Sequence, residues 1–204
     1  MRGLGEVIAR HGLFCALYTD RGSHYFHTPK AGGKVARELP TQVGRALAQL
    51  GIRHIAAYSP EARGRSERMF GTLQDRLVKE LADAGIQTIE AANRFICDVY
   101  LPAHNRRFAV APSEPGSAFV PWHRDDLGEI LCHQEDRVVG NDNTVVFGKL
   151  RLQIAPSPLR HHFVKATVQV RRYHDDTIAI FYGPRRIGRF QPDGTPIETT
   201  TKAA

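Results

Sequence analysis

An α/β unit followed by an all-β unit is the fold class that this chain predicts, and three observations predict it. Short apolar runs alternate with helix-period patterns over residues 1–122, the signature of strands layered against helices. Over residues 123–192 the apolar period shortens to two, as in strands with one buried face, and short strands at this spacing suggest a small β-barrel or sandwich. Pro, Ser and Gly cluster in Ala111-Pro112-Ser113-Glu114-Pro115-Gly116-Ser117, and Pro121-Trp122-His123-Arg124-Asp125-Asp126 marks the junction. Disorder is expected from Gln191, with 193–204 as a tail.

In the first unit, Leu13 to Thr19 reads as a buried strand that stops at the turn-forming cluster Asp20-Arg21-Gly22-Ser23. Asp20 then sits at the carboxyl end of a strand, where open α/β sheets place their ligands. Val43, Ala46, Leu47 and Leu50 recur at helical spacing, Gly51 stops the helix, and Arg53 to Tyr58 forms a second strand closed by Ser59-Pro60. From about Ala62 a long helix carries Phe70, Leu73, Leu77 and Leu81 on one face and ends at Gly85. Glu67 falls about 60° from that stripe, on the rim facing the sheet. Thr88 caps another helix, with Ile89, Ala92, Ile96 and Val99 inward until Pro102 disturbs it.

The second unit reads as strands through Val145 and Phe147, then Leu150 to Ile154, Val164 to Val170, and Ile178 to Tyr182. Asp175-Asp176 and Gly183-Pro184 are the turns.

The composition excludes several classes. Apolar residues are 42% and charged residues 24%, the balance of a chain that folds rather than stays disordered. Three well-separated cysteines, Cys15, Cys97 and Cys132, provide neither a disulfide framework nor zinc-knuckle spacing, and fit a reducing compartment. Without a membrane-length apolar run, and with Arg2, Glu6 and Arg10 in the opening segment, the chain reads as cytoplasmic with no membrane partner. A net charge of +7 favours an anionic partner, for which nucleic acid is the usual choice.

Asp20 and Glu67 form the one constellation that suggests catalysis. Two carboxylates can hold a divalent cation, and Arg63, Arg65 and Arg68 beside Glu67, with Arg21 beside Asp20, would meet phosphates. Pattern alone does not separate this from the strand-end Asp and helical Glu that any basic α/β protein carries. Arg171-Arg172 and Arg185-Arg186 flank hairpin turns and either reach phosphates or protect a barrel edge. His123, His133, His161 and His162 lack zinc-site spacing. Trp122 reads as a packing anchor and Cys97 as core or near-core.

The words around the carboxylates are more specific. Tyr18-Thr19-Asp20-Arg21-Gly22-Ser23 resembles the second-aspartate motif of integrase-core (DDE) transposases, and the segment from Ser59-Pro60-Glu61 through Glu67 to Leu73 resembles their glutamate motif. Leu50-Gly51-Ile52-Arg53-His54 and His104-Asn105-Arg106-Arg107-Phe108 to Pro112 extend the resemblance over residues 12–120. Among bacterial insertion-sequence transposases the ISNCY type is closest in pattern, because 46 residues separate Asp20 from Glu67. The resemblance implies a ribonuclease-H-like core in which Asp20 and Glu67 bind Mg²⁺ (or Mn²⁺) for cleavage and strand transfer at element ends and target DNA. It also implies assembly as a multimer, and a small β-barrel carrying Tyr182-Gly183-Pro184-Arg185-Arg186-Ile187-Gly188.

The departure from the pattern shapes the expectation. The family's first metal-binding Asp precedes the helix that Met1 to Arg10 resembles, and only Glu6 is acidic before Asp20. The expectation is therefore an N-terminally truncated transposase with an incomplete core, inactive alone. Its rival is a non-catalytic protein that binds DNA or full-length transposase and inhibits transposition.

Overall fold

A computed structural model describes residues 1–30, 33–36, 38–59, 61–156 and 160–197. Packing gathers them into two compact units that do not follow sequence order: Met1–Leu17, Gly22–His54 and Phe119–Ala204 form one, and Tyr18–Arg21 with Ile55–Ala118 the other.

The first helix, α1 (Arg2–His11), buries Ile8, and α2 (Gln42–Gln49) buries Ala46 and Leu47. The Thr41 side chain accepts from the Gly44 N–H at 3.1 Å and so starts α2, while Gly51, at φ +71°, ends it as expected. Strands β1 (Ala16–Thr19) and β2 (Arg53–Ala56) form a two-stranded sheet. Arg53 N–H donates to Cys15 O at 3.0 Å and Ala57 N–H to Thr19 O at 2.9 Å, so both chains advance by the same step and run parallel. A helical core forms from Ile8, Ala46, Leu47, Leu50, Ile52 and Leu131, with Trp122 packed against it as the anchor the sequence suggested. Gly12, at φ +95°, lies so close to Val120 that a Cβ would run into its carbonyl, and Leu13 and Val120 exchange two hydrogen bonds there.

From α2 the chain is tied to the strands that follow. Arg45 donates to the Ile130 and Cys132 carbonyls at 3.1 and 2.6 Å, and the Gln42 amide exchanges two bonds with the backbone of Gln134. A short helix α3 (Leu127–Ile130) leads into β3 (His133–Val138), and neither was anticipated. The remaining strands are β4 (Thr144–Phe147), β5 (Leu150–Gln153), β6 (Thr167–Arg172), β7 (Ile178–Tyr182) and β8 (Arg185–Phe190). An antiparallel sheet in the order β3-β6-β7-β8 and a separate β4-β5 hairpin enclose Val145, Leu152, Ile154, Phe163, Val168, Val170, Ile178, Ile180 and Phe190. Hydrogen bonds do not close these strands into one circle among the described residues.

Asp175 accepts from the N–H and hydroxyl of Thr177 at 3.0 and 2.7 Å, fixing the β6-β7 turn, and Gly183, at φ +57°, makes the next. Residues 191–197 are ordered rather than disordered: Gln191 N–H donates to Thr195 O, and Ile197 N–H to Arg189 O, returning the chain along β8. The rest of the expected tail, 198–204, lies outside the described residues, as does Pro60.

The other unit is built on helix α4 (Gly64–Asp83), entered by a tight turn over Glu61–Arg63 and stopped at Gly85, φ +64°. Thr88 caps α5 (Ile89–Phe95) by accepting from the Ala91 N–H at 3.2 Å. A π-helical turn over Ile96–Tyr100 then passes into α6 (Leu101–Phe108). Pro102 therefore widens the helix ahead of it instead of ending it, since the ring removes one donor from the ladder. The apolar stripe of α4 is less covered than expected: Leu73, Leu77 and Leu81 are half-buried and Phe70 is 53% exposed. Cys97, expected in or near the core, is exposed on the outer side of the π turn.

Candidate functional site

Asp20 directly follows β1, and Glu67 lies in the first turn of α4, where the helix dipole favours a carboxylate. The two side chains converge on Arg63, the residue preceding α4. Its Nη1 stands 3.6 Å from Asp20 Oδ2 and 4.0 Å from Glu67 Oε1. The three side chains are 35–54% exposed, so the cluster is open to solvent and to ligands. The parallel strand ends place their neighbours side by side as well: the Arg21 guanidinium lies 5.0 Å from the Tyr58 ring centroid. Arg63, expected to meet phosphate, is thus held by both carboxylates, and its i, i+4 spacing from Glu67 was the sequence signal for that contact.

Arg65 and Arg68 occupy another face. At about 100° per residue, Arg65, Arg68 and Met69 share one stripe of α4 while Arg63 and Glu67 lie opposite. The helix therefore separates a mixed acid–base face from a basic one.

The distal arginines divide similarly. Arg171 donates to Glu129 Oε2 at 2.8 Å and to Gln169, and covers the Phe181 ring at 3.9 Å. With 19% of its side chain exposed, it is an internal tie rather than the outward phosphate contact the turn position suggested. Arg172, Arg185 and Arg186 are exposed. Glu129 also accepts from the Tyr173 hydroxyl at 2.7 Å; burial, and then this carboxylate, push the Tyr173 phenol well above the ordinary tyrosine range.

Two hard carboxylate donors gathered around one positive charge suit a divalent cation, with Arg63 in the position of that charge. Among the described residues no three His, Cys, Asp or Glu side chains are grouped to hold a metal. Likewise no helix there is long and apolar enough to cross a membrane.

An acidic pair at a parallel strand end and a helix start, flanked by arginines, defines a candidate site for phosphate-ester chemistry. By its similarity to known proteins the chain belongs to the transposases. The chain is 34% identical over 172 residues to "Putative transposase y4bF" of Sinorhizobium fredii (strain NBRC 101917 / NGR234), covering 83% of this chain and 37% of that protein. It is 35% identical over 144 residues to "Transposase for insertion sequence IS1202" of Streptococcus pneumoniae, covering 71% of this chain and 30% of that protein. The similarity thus spans about a third of the length of these relatives. No protein-family model matches the chain.

Proposed function

We propose that this chain is part of a DNA transposase of the integrase-core (DDE) kind, ISNCY type, with Asp20 and Glu67 in a ribonuclease-H-like core and a small β-barrel unit following it. The convergence of the two carboxylates on one guanidinium carries this reading, and the two relatives named as transposases support it.

Asp20 and Glu67 would hold Mg²⁺ (or Mn²⁺), which when bound polarises a phosphodiester and activates an attacking oxygen. The chain's own residues supply position and charge. Glu67 is carried by a 20-residue helix, and Arg63, which stands between the two carboxylates, has a planar guanidinium able to donate to a phosphate oxygen. Arg21, Arg65 and Arg68 give the surroundings a positive potential that draws the phosphate backbone of element ends and target DNA. Arg172, Arg185 and Arg186 offer a second set of phosphate contacts. Two carboxylates hold such an ion weakly, so these 204 residues do not complete strand transfer unaided. They act in a multimer, with further copies or a full-length transposase.

The test is duplex-DNA binding with and without Mn²⁺, alongside a strand-transfer assay. The reading expects a metal-dependent gain in affinity that D20N/E67Q removes, and no strand-transfer product from the chain alone. Turnover by this chain would overturn the two-carboxylate account. Binding indifferent to both metal and D20N/E67Q would favour a non-catalytic inhibitor of transposition.

A further inference from the structure

The stripe of α4 opposite Glu67 lines a groove whose other wall is α6. Arg65, Arg68 and Met69 face His104, Asn105 and Phe108 across a volume of about 520 Å³, within the range of ~300–1,000 Å³ common to small-ligand clefts. No acidic side chain lines it among the described residues, and neither Arg65 nor Arg68 has an ion-pair partner among them. By contrast, the 380 Å³ depression beside the β6-β7 turn sets Arg186 and Arg189 against Glu129 and Asp175, which would repel an anion.

The α6 wall is aromatic. Tyr100, His104 and Phe108 form a column one helical turn apart, with ring centroids 5.7 and 4.8 Å from one another in succession. Phe108 is 45% exposed, and the guanidinium carbons of Arg76 and Arg107 lie 5.8 and 5.4 Å from its centroid. His104 Nδ1 is buried with no hydrogen-bond partner among the described residues. An anion holder, a part-exposed aromatic ring and an amide able to donate and accept are thus brought to one groove.

We propose that this groove receives an unpaired nucleotide of a DNA strand, its phosphate on Arg65 and Arg68 and its base against Phe108 with Asn105 at the base edge. The proposal rests on the DNA-processing reading above for its substrate, but on a different face of α4 for its chemistry. Guanidiniums alone would serve any duplex; the exposed ring beside them favours a base freed from its stack.

The experiment is fluorescence anisotropy in EDTA, so that no metal engages the carboxylates, with labelled oligothymidine of about 15 nucleotides and a duplex of the same length. R65A/R68A should weaken binding of both probes. F108A should weaken the single strand roughly tenfold, as loss of a base stack does, while leaving the duplex within about twofold. N105A, at an exposed position, should weaken the single strand a few-fold without disturbing the fold, and circular dichroism checks that F108A remains folded. D20N/E67Q, which removes two negative charges and frees Arg63, should raise both affinities alike in EDTA while leaving the single-strand loss caused by F108A intact, so failure of the metal-site reading shows separately. Single-strand binding unmoved by F108A and N105A, or loss of both probes in equal measure with F108A, would overturn the proposal in favour of a backbone-only contact.

Discussion

Asp20 and Glu67 share a single cation, the guanidinium of Arg63, which stands 3.6 Å from one carboxylate and 4.0 Å from the other. Because α4 begins immediately after Arg63, the contact couples the end of β1 to the start of the helix that carries Glu67. If a divalent cation belongs between these carboxylates, Arg63 competes with it.

Arg63→Ala should therefore tighten Mn²⁺ binding several-fold, read by isothermal titration. Because these pairs are partly exposed, its effect on stability should stay within about 1 kcal/mol. Weaker Mn²⁺ binding in this variant would show that the arginine organises the carboxylates rather than competing for them.

Asn143 carries a separate structural duty. At φ +58° its side chain donates to Ile154 O at 2.8 Å and accepts from the Phe163 N–H at 2.7 Å, joining two segments of the β core. Asn143→Ala should cost about 2–4 kcal/mol, through lost hydrogen bonds and a strained left-handed alanine. Asn143→Gly, relieved of that strain, should recover about 1 kcal/mol of it. Urea unfolding of the two variants separates the contributions.

Tyr173 makes stability depend on alkaline pH. Its folded pKa lies above the unfolded value of about 10, so folding favours the protonated phenol. That contribution is complete below about pH 10 and declines as pH rises further, because the unfolded chain releases this proton first. Thermal melts above pH 10 should fall more steeply for the unsubstituted chain than for Tyr173→Phe. Tyr173→Phe should itself cost about 1–2 kcal/mol at neutral pH through the lost bond to Glu129.

Leu152 reports on the β core, which encloses its side chain completely. Leu152→Ala should destabilise by about 2–5 kcal/mol, seen as a lower urea midpoint at unchanged slope.

Periodicity was enough where one face is buried. Val145 and Phe147 alternate with exposed Val146 because they line one core, Ile178 to Phe181 form an apolar run buried on both faces, and Gly51, Gly85 and Thr88 punctuate helices through backbone chemistry that acts locally. β3 was not legible because His133, Glu135 and Arg137, which share the face of Val168 and Val170, are joined by ion pairs at positions where an apolar alternation would otherwise mark the strand. β8 was obscured in the same way by Arg185, Arg186 and Arg189. In the site, the acidic pair could be read from its motifs, whereas the hold of Arg63 on both carboxylates depends on the fold bringing Asp20 to α4. Arg171 shows the converse: its turn position suggested an outward contact, yet Glu129, distant in sequence, draws it inward.

The most direct test of the central claim is a titration of Mn²⁺ into the 204-residue chain and into D20N/E67Q, both folded by circular dichroism. Binding of the ion by the unsubstituted chain, lost in the double variant, is the result predicted if Asp20 and Glu67 are metal ligands. Equal binding by both chains, or none by either, would contradict it.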